Sequence, residues 1–507
     1  LIRYALPKFT FSLCVYFKMH KFTLLLKKES RSIIAFAILS AILVTLLLLD
    51  FDKNLFSEIF HDICVYTREF VGYSTVFCIL VLLFLIFSRY GNIRLGGEKA
   101  KPEYSNFSWF SCLVMAGMGI GLIFYSQEPL YHLFNNPYVG NVSGTPEEIA
   151  YSLTLYDWTF NVWALYGLLS IIIGYLYYNK GRALKLSSIF PGRTQEWFKN
   201  LIDVLMALGI VAGLTTSLGL GVSQLKSGID YVFMTNVNPY LLMLIVGLVA
   251  TWSVNSGLKR GVKWLSNLSS ILVFILLVVI SVLAYMNLNV SNTIGYTLNG
   301  IGNFIRNYIH YNDYANTASD DWAAGWAVFY QLWYAAWTAF VAVFVAKISK
   351  GRTIRECAWG VVLFPAVFEA VWFGIFGSAG LPVKEQLYAA MQDNLPQSVF
   401  FFLHQLASGG GYVALSVLVM VVICFFFITS SDSSSYVVAT ILSDDKEVRS
   451  FNKIAWSLIQ CVAAMILFYC GGLALIQSAS VVLGLLVLAI IILGTIVFLY
   501  ILIRDEK

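Results

Sequence analysis

Charge is what this sequence has least of. Only 12% of its 507 residues are Asp, Glu, Lys or Arg, about half of what a soluble domain carries. That deficit excludes an ordinary water-soluble fold. Histidine is equally scarce: His20, His61, His132, His310 and His404 are scattered over segment ends and loops, with no HExxH and no Cys/His cluster. An intramembrane enzyme built on a metal or acid–base constellation is therefore excluded. The eight cysteines contain no CxxC pair and sit mostly in apolar runs, as small hydrophobes and not as a disulfide or metal framework. No cleavable signal peptide is evident either. The first apolar run, Ile33 to Leu49, lacks a small-residue cleavage site and continues into Asp50-Phe51-Asp52. A net charge of +5 gives no reason to expect a nucleic-acid partner. The chain begins at Leu1, and Met19 opens the more ordinary start MHKFTLLLKKES, so residues 1–18 read as an upstream extension.

What is present is apolar. Hydrophobic residues make up 59% of the chain and the mean hydropathy is +0.76. Runs of about 20 apolar residues, enough to cross a bilayer, recur along the length. Their positions predict twelve spans at 32–50, 70–89, 108–131, 147–178, 199–229, 239–256, 264–287, 321–347, 356–378, 410–441, 452–471 and 475–502. Thr145-Pro146-Glu147-Glu148 supplies a start signal for the fourth, an N-cap with a proline and a capping-box glutamate. With the N-terminus inside, 28 of the 33 Lys and Arg residues fall on cytoplasmic segments and 5 on external ones. The positive-inside rule then puts both termini in the cytoplasm. The reading is an all-α, multi-pass protein of a bacterial plasma (inner) membrane, with the lipid bilayer as its first partner. In the external loop, Ile301, Phe304, Ile305, Tyr308 and Ile309 follow helical spacing. They suggest a short helix, either on the membrane surface or packed on the protein.

Four features carry chemistry. In the third span, Ala116-Gly117-Met118-Gly119-Ile120-Gly121-Leu122 places three alternating glycines. Each weakens a helix by about 1 kcal/mol relative to alanine. Gly117 and Gly121 read either as a GxxxG packing pair or as backbone opened toward a solute or ion. Trp158, Trp163 and Tyr166 share one broad face of the fourth span, and Trp326, Tyr330, Trp333 and Trp337 form a stripe about 60° wide in the eighth, with Tyr334 at its edge. Such faces are either packing or interface belts, or a cage for a cation without hydrogen-bond donors. The run Phe426-Phe427-Ile428-Thr429-Ser430-Ser431-Asp432 ends in hydroxyls that suit either backbone caps or a hard cation. Glu128, Asp157 and Glu369 are the acids at membrane depth. They are functional candidates by default, although Glu128 and Asp157 also fit a place near the external surface.

Taken in order, AGMGIGLIFYSQEPL (Ala116 to Leu130), the DW-x4-W-x2-Y pattern, WAVFYQLWYAAW (Trp326 to Trp337), ISKGRTIRE (Ile348 to Glu356) and ITSSDSSS resemble the betaine/carnitine/choline transporter family from about residue 30 to 500. The resemblance implies an amino-acid-transporter (LeuT-type) fold of two inverted five-helix repeats. They would be spans 3–7 (108–287) and 8–12 (321–502), after a cytoplasmic tail (1–31) and two peripheral helices with their loop (32–107). The external loop (288–320) and a short cytoplasmic tail (503–507) complete the division. It implies no enzyme activity and no cofactor beyond a coupling sodium ion. Its small quaternary-ammonium solute would sit in an aromatic box of Trp158, Trp163, Tyr166 and Trp333, with Tyr334 beside it and Trp337 on the cytoplasmic exit side. Backbone at Ala116, Met118, Gly119 and Gly121 would touch the solute or ion. Thr429 and Ser430, with the Phe426 and Met118 carbonyls, would hold sodium. Members form trimers, to which the helix at 300–312 would contribute. The GMGIG sequence resembles sodium-coupled betaine carriers. Proton-coupled choline carriers vary within it, and sodium-independent carnitine exchangers place an Arg after a stretch that here reads Leu265-Ser266-Asn267-Leu268-Ser269-Ser270. Three departures stand out: Tyr334 replaces a common tryptophan, Ser126-Gln127-Glu128 is one residue short, and Glu369 is unexpected. The brief C-terminal segment predicts transport without osmotic activation.

Overall fold

A computed structural model describes residues 29–48, 53–138, 142–254, 263–443 and 448–506. The extension at 1–18 and nearly all of the N-terminal tail lie outside them. Among the described residues the chain is helical. In a bilayer every backbone N–H and C=O must be satisfied internally, and the helix does this within one segment. In chain order the helices are α1 (Ser30–Leu48), α2 (Lys53–Phe87), α3 (Asn106–Gly117), α4 (Gly121–Phe124), α5 (Glu128–Phe134), α6 (Pro146–Trp158), α7 (Phe160–Tyr178), α8 (Glu196–Phe233), α9 (Pro239–Val254), α10 (Lys263–Leu288), α11 (Thr293–Asn312), α12 (Phe329–Ile348), α13 (Ile354–Gly380), α14 (Lys384–Leu406), α15 (Gly409–Leu442) and α16 (Ser450–Asp505). A π-helical turn, Ala323–Val328, leads into α12.

Nine stretches among the described residues are long and apolar enough to cross a membrane. They differ from the predicted spans for local reasons. The third span is divided into α3, α4 and α5 by its glycines, and the sixth is the short α9. The eleventh and twelfth are the two arms of α16, which meet at Gly472, whose backbone (φ +63°, ψ −150°) is not helical. Two elements were not foreseen. α2 starts at Lys53, well before residue 70, and α14 fills an assumed external loop, kinked at Asn394 ahead of Pro396. Capping boxes close the N-termini of α6 (Thr145 with Glu148) and α13 (Thr353 with Glu356), satisfying donors that the helices cannot.

The centre of the bundle is α6–α7 and α12, both almost wholly buried, while α1 and α10 face mostly outward. α11 lies on this core and is longer than the 300–312 expected. Its Gly300 meets the Tyr151 ring, and Ser152 donates to the Gly300 carbonyl at 3.1 Å. Its other face leaves Ile294, Leu298, Ile305 and Ile309 exposed.

The two ends of the bundle are tied separately. Arg31 and Lys185 both reach Asp203 at 2.7 Å, Lys180 pairs with Asp505 and Glu506 at 3.4 Å, and Lys350 pairs with Glu103 at 2.7 Å. All of these segments carry the basic surplus. At the other end Arg68 pairs with Asp320 and His61 with Asp321. Each pair joins segments that the charge count assigned to one side. At the basic end, Gly351 (φ +82°) lets the α12–α13 turn lie against the loop after α2. Leu95 N–H donates to Arg352 O at 2.9 Å, Gly351 N–H to Leu95 O at 2.8 Å and Ile354 N–H to Ile93 O at 2.9 Å. Arg355 adds bonds to the Ile86 and Ser88 carbonyls and the Asn92 side chain.

Candidate functional site: an aromatic cage around a broken helix

The site begins with a helix that stops. α3 ends at Gly117, Gly119 takes φ +56°, and regular structure resumes only at Gly121. A left-handed φ costs an L-residue roughly 1–2 kcal/mol, so glycine is the residue that permits the break. Among the described residues no backbone N–H donates to the Met118 or Gly119 carbonyl, so polar backbone is exposed inside the bundle.

The same glycines admit rings. A Cβ on Gly117 would strike the Trp163 ring, one on Gly121 would lie 2.9 Å from both Trp158 and Trp333, and one on Gly119 would lie 3.2 Å from Trp337. Trp337 also covers Gly213 of α8. The packing and open-backbone readings of the glycines thus describe one arrangement: the missing side chains are the space the tryptophans occupy.

The rings close on one another. Trp163 meets Tyr166 edge-on at 5.3 Å, Tyr166 meets Tyr334 at 5.8 Å, Tyr334 meets Trp158 at 6.0 Å, and Trp333 lies 5.6 Å from Tyr334. All are buried. Edge-on contacts set the electropositive edge of one ring against the electron-rich face of the next, and a desolvated cation against such a face gains up to roughly 2 kcal/mol. Tyr125, four residues past the last of the three glycines, joins through Trp158, Trp326, Tyr330 and Trp333 at 5.6–6.5 Å. The Trp333 and Trp337 indole nitrogens and the Tyr166 and Tyr334 hydroxyls are buried without partners.

Two carboxylates, Glu128 and Asp157, stand behind these rings, both buried in the bundle. Glu128 Oε2 accepts from Trp158 Nε1 at 2.9 Å and from the Tyr330 hydroxyl at 2.6 Å. His132 Nε2 lies 3.4 Å from both Glu128 Oε1 and Asp157 Oδ2, all fully buried. His132 Nδ1 accepts from Trp322 Nε1 at 3.4 Å, which leaves the ring's own proton on Nε2 between the carboxylates. The three ligand atoms lie within 4.8 Å of one another, and with Nδ1 accepting from Trp322 the neutral imidazole turns its Nε2–H toward both carboxylates. On the opposite wall Glu369 Oε2 accepts from Trp163 Nε1 at 2.9 Å, and its Oε1 has no partner.

The expected sodium ligands are divided. α15 is continuous through Phe426, Thr429 and Ser430, and the Thr429 hydroxyl is engaged with the Phe425 and Phe426 carbonyls at 2.9 and 3.0 Å. Ser430 Oγ is buried without a partner, and α15 packs against α3, which leads into Met118. A free hydroxyl, a free carbonyl at Met118 and a threonine on its own helix are oxygen donors of the kind a hard cation takes. Ala116 falls in the last turn of α3. Sequence reasoning missed His132, placed among loop histidines, and Tyr125. Their partners Trp322 and Trp333 lie far along the chain.

A multi-pass helical protein whose third span breaks at glycines and packs there against aromatic rings shows the kind of discontinuous helix found in secondary transporters. The chain belongs to the betaine/carnitine/choline transporter family, whose profile matches residues 32–507. A glycine betaine transporter of Bacillus subtilis is 32% identical over 439 residues, 82% of this chain and 83% of that protein. A glycine betaine transporter of Acinetobacter baylyi is 32% identical over 430 residues, 80% of this chain. A Vibrio parahaemolyticus transporter named for glycine betaine, proline, choline and ectoine is 32% identical over 327 residues, 62% of this chain. The matches span 63% and 57% of the lengths of those last two proteins, respectively. A solved structure of a sodium-coupled sialic acid symporter aligns over 85% of this chain and 86% of its own, at TM-score 0.47 and 13% identity.

Proposed function

We propose that the chain imports a quaternary-ammonium solute, glycine betaine or a relative, by alternating access in symport with sodium. The observation that carries this reading is the closure of Trp158, Trp163, Tyr166, Trp333 and Tyr334 around the opened third span. A methylated ammonium has no N–H to donate, and aromatic faces are the surface that binds it in a dry site. Sodium would lie between Thr429, Ser430 and the carbonyls of Phe426 and Met118. The unpartnered Ser430 hydroxyl and the unbonded Met118 carbonyl support that placement. Spans 3–7 and 8–12 act as the inverted repeats whose rocking exposes the cage to each side in turn.

The basic end faces the cytoplasm of a bacterial inner membrane, on the strength of the Lys and Arg surplus. The apolar outer face of α11, with Ile294, Leu298, Ile305 and Ile309 exposed, is the surface on which a trimer would assemble. Uptake of labelled glycine betaine into proteoliposomes tests the reading. It is expected to be saturable and to require an inward sodium gradient; uptake indifferent to the gradient would point to solute exchange. Thr429→Val should raise the sodium concentration needed for half-maximal uptake by about tenfold, the loss of one ligand oxygen.

A further inference from the structure

Glu369 is a carboxylate that no side chain among the described residues neutralises. It lies midway along α13, 1% exposed, with one oxygen on the Trp163 indole and the other bare. Among the described residues no Lys, Arg or His nitrogen pairs with it. The elements packed on α13 contribute two titratable groups to its surroundings, Tyr166 of α7 and Tyr334 of α12. Both hydroxyls are unpartnered, and both have Glu369 as their strongest charged neighbour. Behind Tyr334 stand Glu128 of α5 and Asp157 of α6, already held by His132. α2, α3, α10, α11 and α14 bring no charged group onto it. Three orphaned polar atoms, Glu369 Oε1 and the two hydroxyls, therefore cluster on the cage wall formed by Trp163, Tyr166 and Tyr334.

A lone carboxylate in a dry site is stable only with a proton or a cation. The cage is built to admit a cation. We propose that Glu369 is the counter-charge of the cage, for which a bare quaternary-ammonium cation and a proton compete. The site then takes carboxylate-free cations such as choline as well as zwitterions, and binding such a cation expels one proton. In that step the Glu369 O–H bond breaks, the proton leaves to solvent on the open side, and the carboxylate electron pair faces the ammonium group. A zwitterion carries its own carboxylate, so it gains nothing from an ionised Glu369 and leaves the proton in place.

The proposal rests on the quaternary-ammonium reading and can fail independently of it. Purified protein in weakly buffered detergent, with a pH indicator, is titrated with choline and with glycine betaine. Choline is expected to release one proton per site and to bind about tenfold more tightly per unit rise in pH over the competing range. Glycine betaine is expected to release none and to bind independently of pH. Glu369→Gln keeps an oxygen for the Trp163 indole. It should abolish the proton release and shift the choline-to-betaine affinity ratio at least about tenfold toward betaine. Its melting temperature confirms folding, and Glu369→Asp, which keeps the charge, should retain proton release. Equal pH profiles for the two solutes, or an unchanged ratio in Glu369→Gln, overturn the proposal and leave the cage standing. If neither solute binds the wild-type protein, both fall.

Discussion

The two walls of the cage hold the same donor in different company. Trp158 and Trp163 each give an indole N–H to a buried glutamate at 2.9 Å. Glu128 then meets Tyr330 and His132, and through His132 Asp157, so its charge is shared over a network. Glu369 has only the indole. An embedded carboxylate is part of the framework because removing it strands its partners. An isolated one is free to exchange what it holds. Neighbouring rings thus rest on acids held in different ways, one by several partners and one by a single indole.

The difference can be broken most directly by stability. Glu128→Leu leaves the Trp158 indole and the Tyr330 hydroxyl without an acceptor and should destabilise by about 3–5 kcal/mol. Glu369→Leu orphans one indole N–H and should cost about 1–2 kcal/mol. Thermal unfolding of the purified variants in detergent measures both, and equal losses would erase the distinction between the walls. Next in size, Trp333→Ala opens the ring beside Gly121 and should cut uptake by about 100-fold, roughly 2.7 kcal/mol. The folded protein should persist in the membrane. Gly119→Ala forces a side chain into a left-handed backbone toward Trp337 and should cost about 1–2 kcal/mol, visible as a lower melting temperature. Smallest of all in stability is Thr429→Val, at about 1 kcal/mol or less, because that hydroxyl bonds only carbonyls of its own helix. Its effect belongs in the sodium dependence.

Much of this site was legible from spacing. Alternating glycines and a narrow aromatic stripe are local patterns, and both survive folding because Gly117, Gly119 and Gly121 are where Trp163, Trp337, Trp158 and Trp333 land. The charge count was legible for the same reason, and Arg31–Asp203, Lys180–Glu506 and Arg68–Asp320 each stay on one predicted side. What was not legible is non-local. His132 looked like a loop residue because nothing in its own segment shows Asp157 or Trp322 arriving beside it. α14 was hidden by its polar first turns and by Pro396, which mark a loop by composition. The break inside α16 was legible, since Gly472, where the backbone leaves the helical conformation, lies between the predicted spans 452–471 and 475–502.

The bonds at Ile93, Leu95, Gly351 and Ile354 act as a fixed hinge-post. They rivet the basic tip of α12 to the foot of α2, so the register of Trp333 and Trp337 along that shaft is set from one end by backbone alone, while its other end begins at the π-helical turn before Phe329.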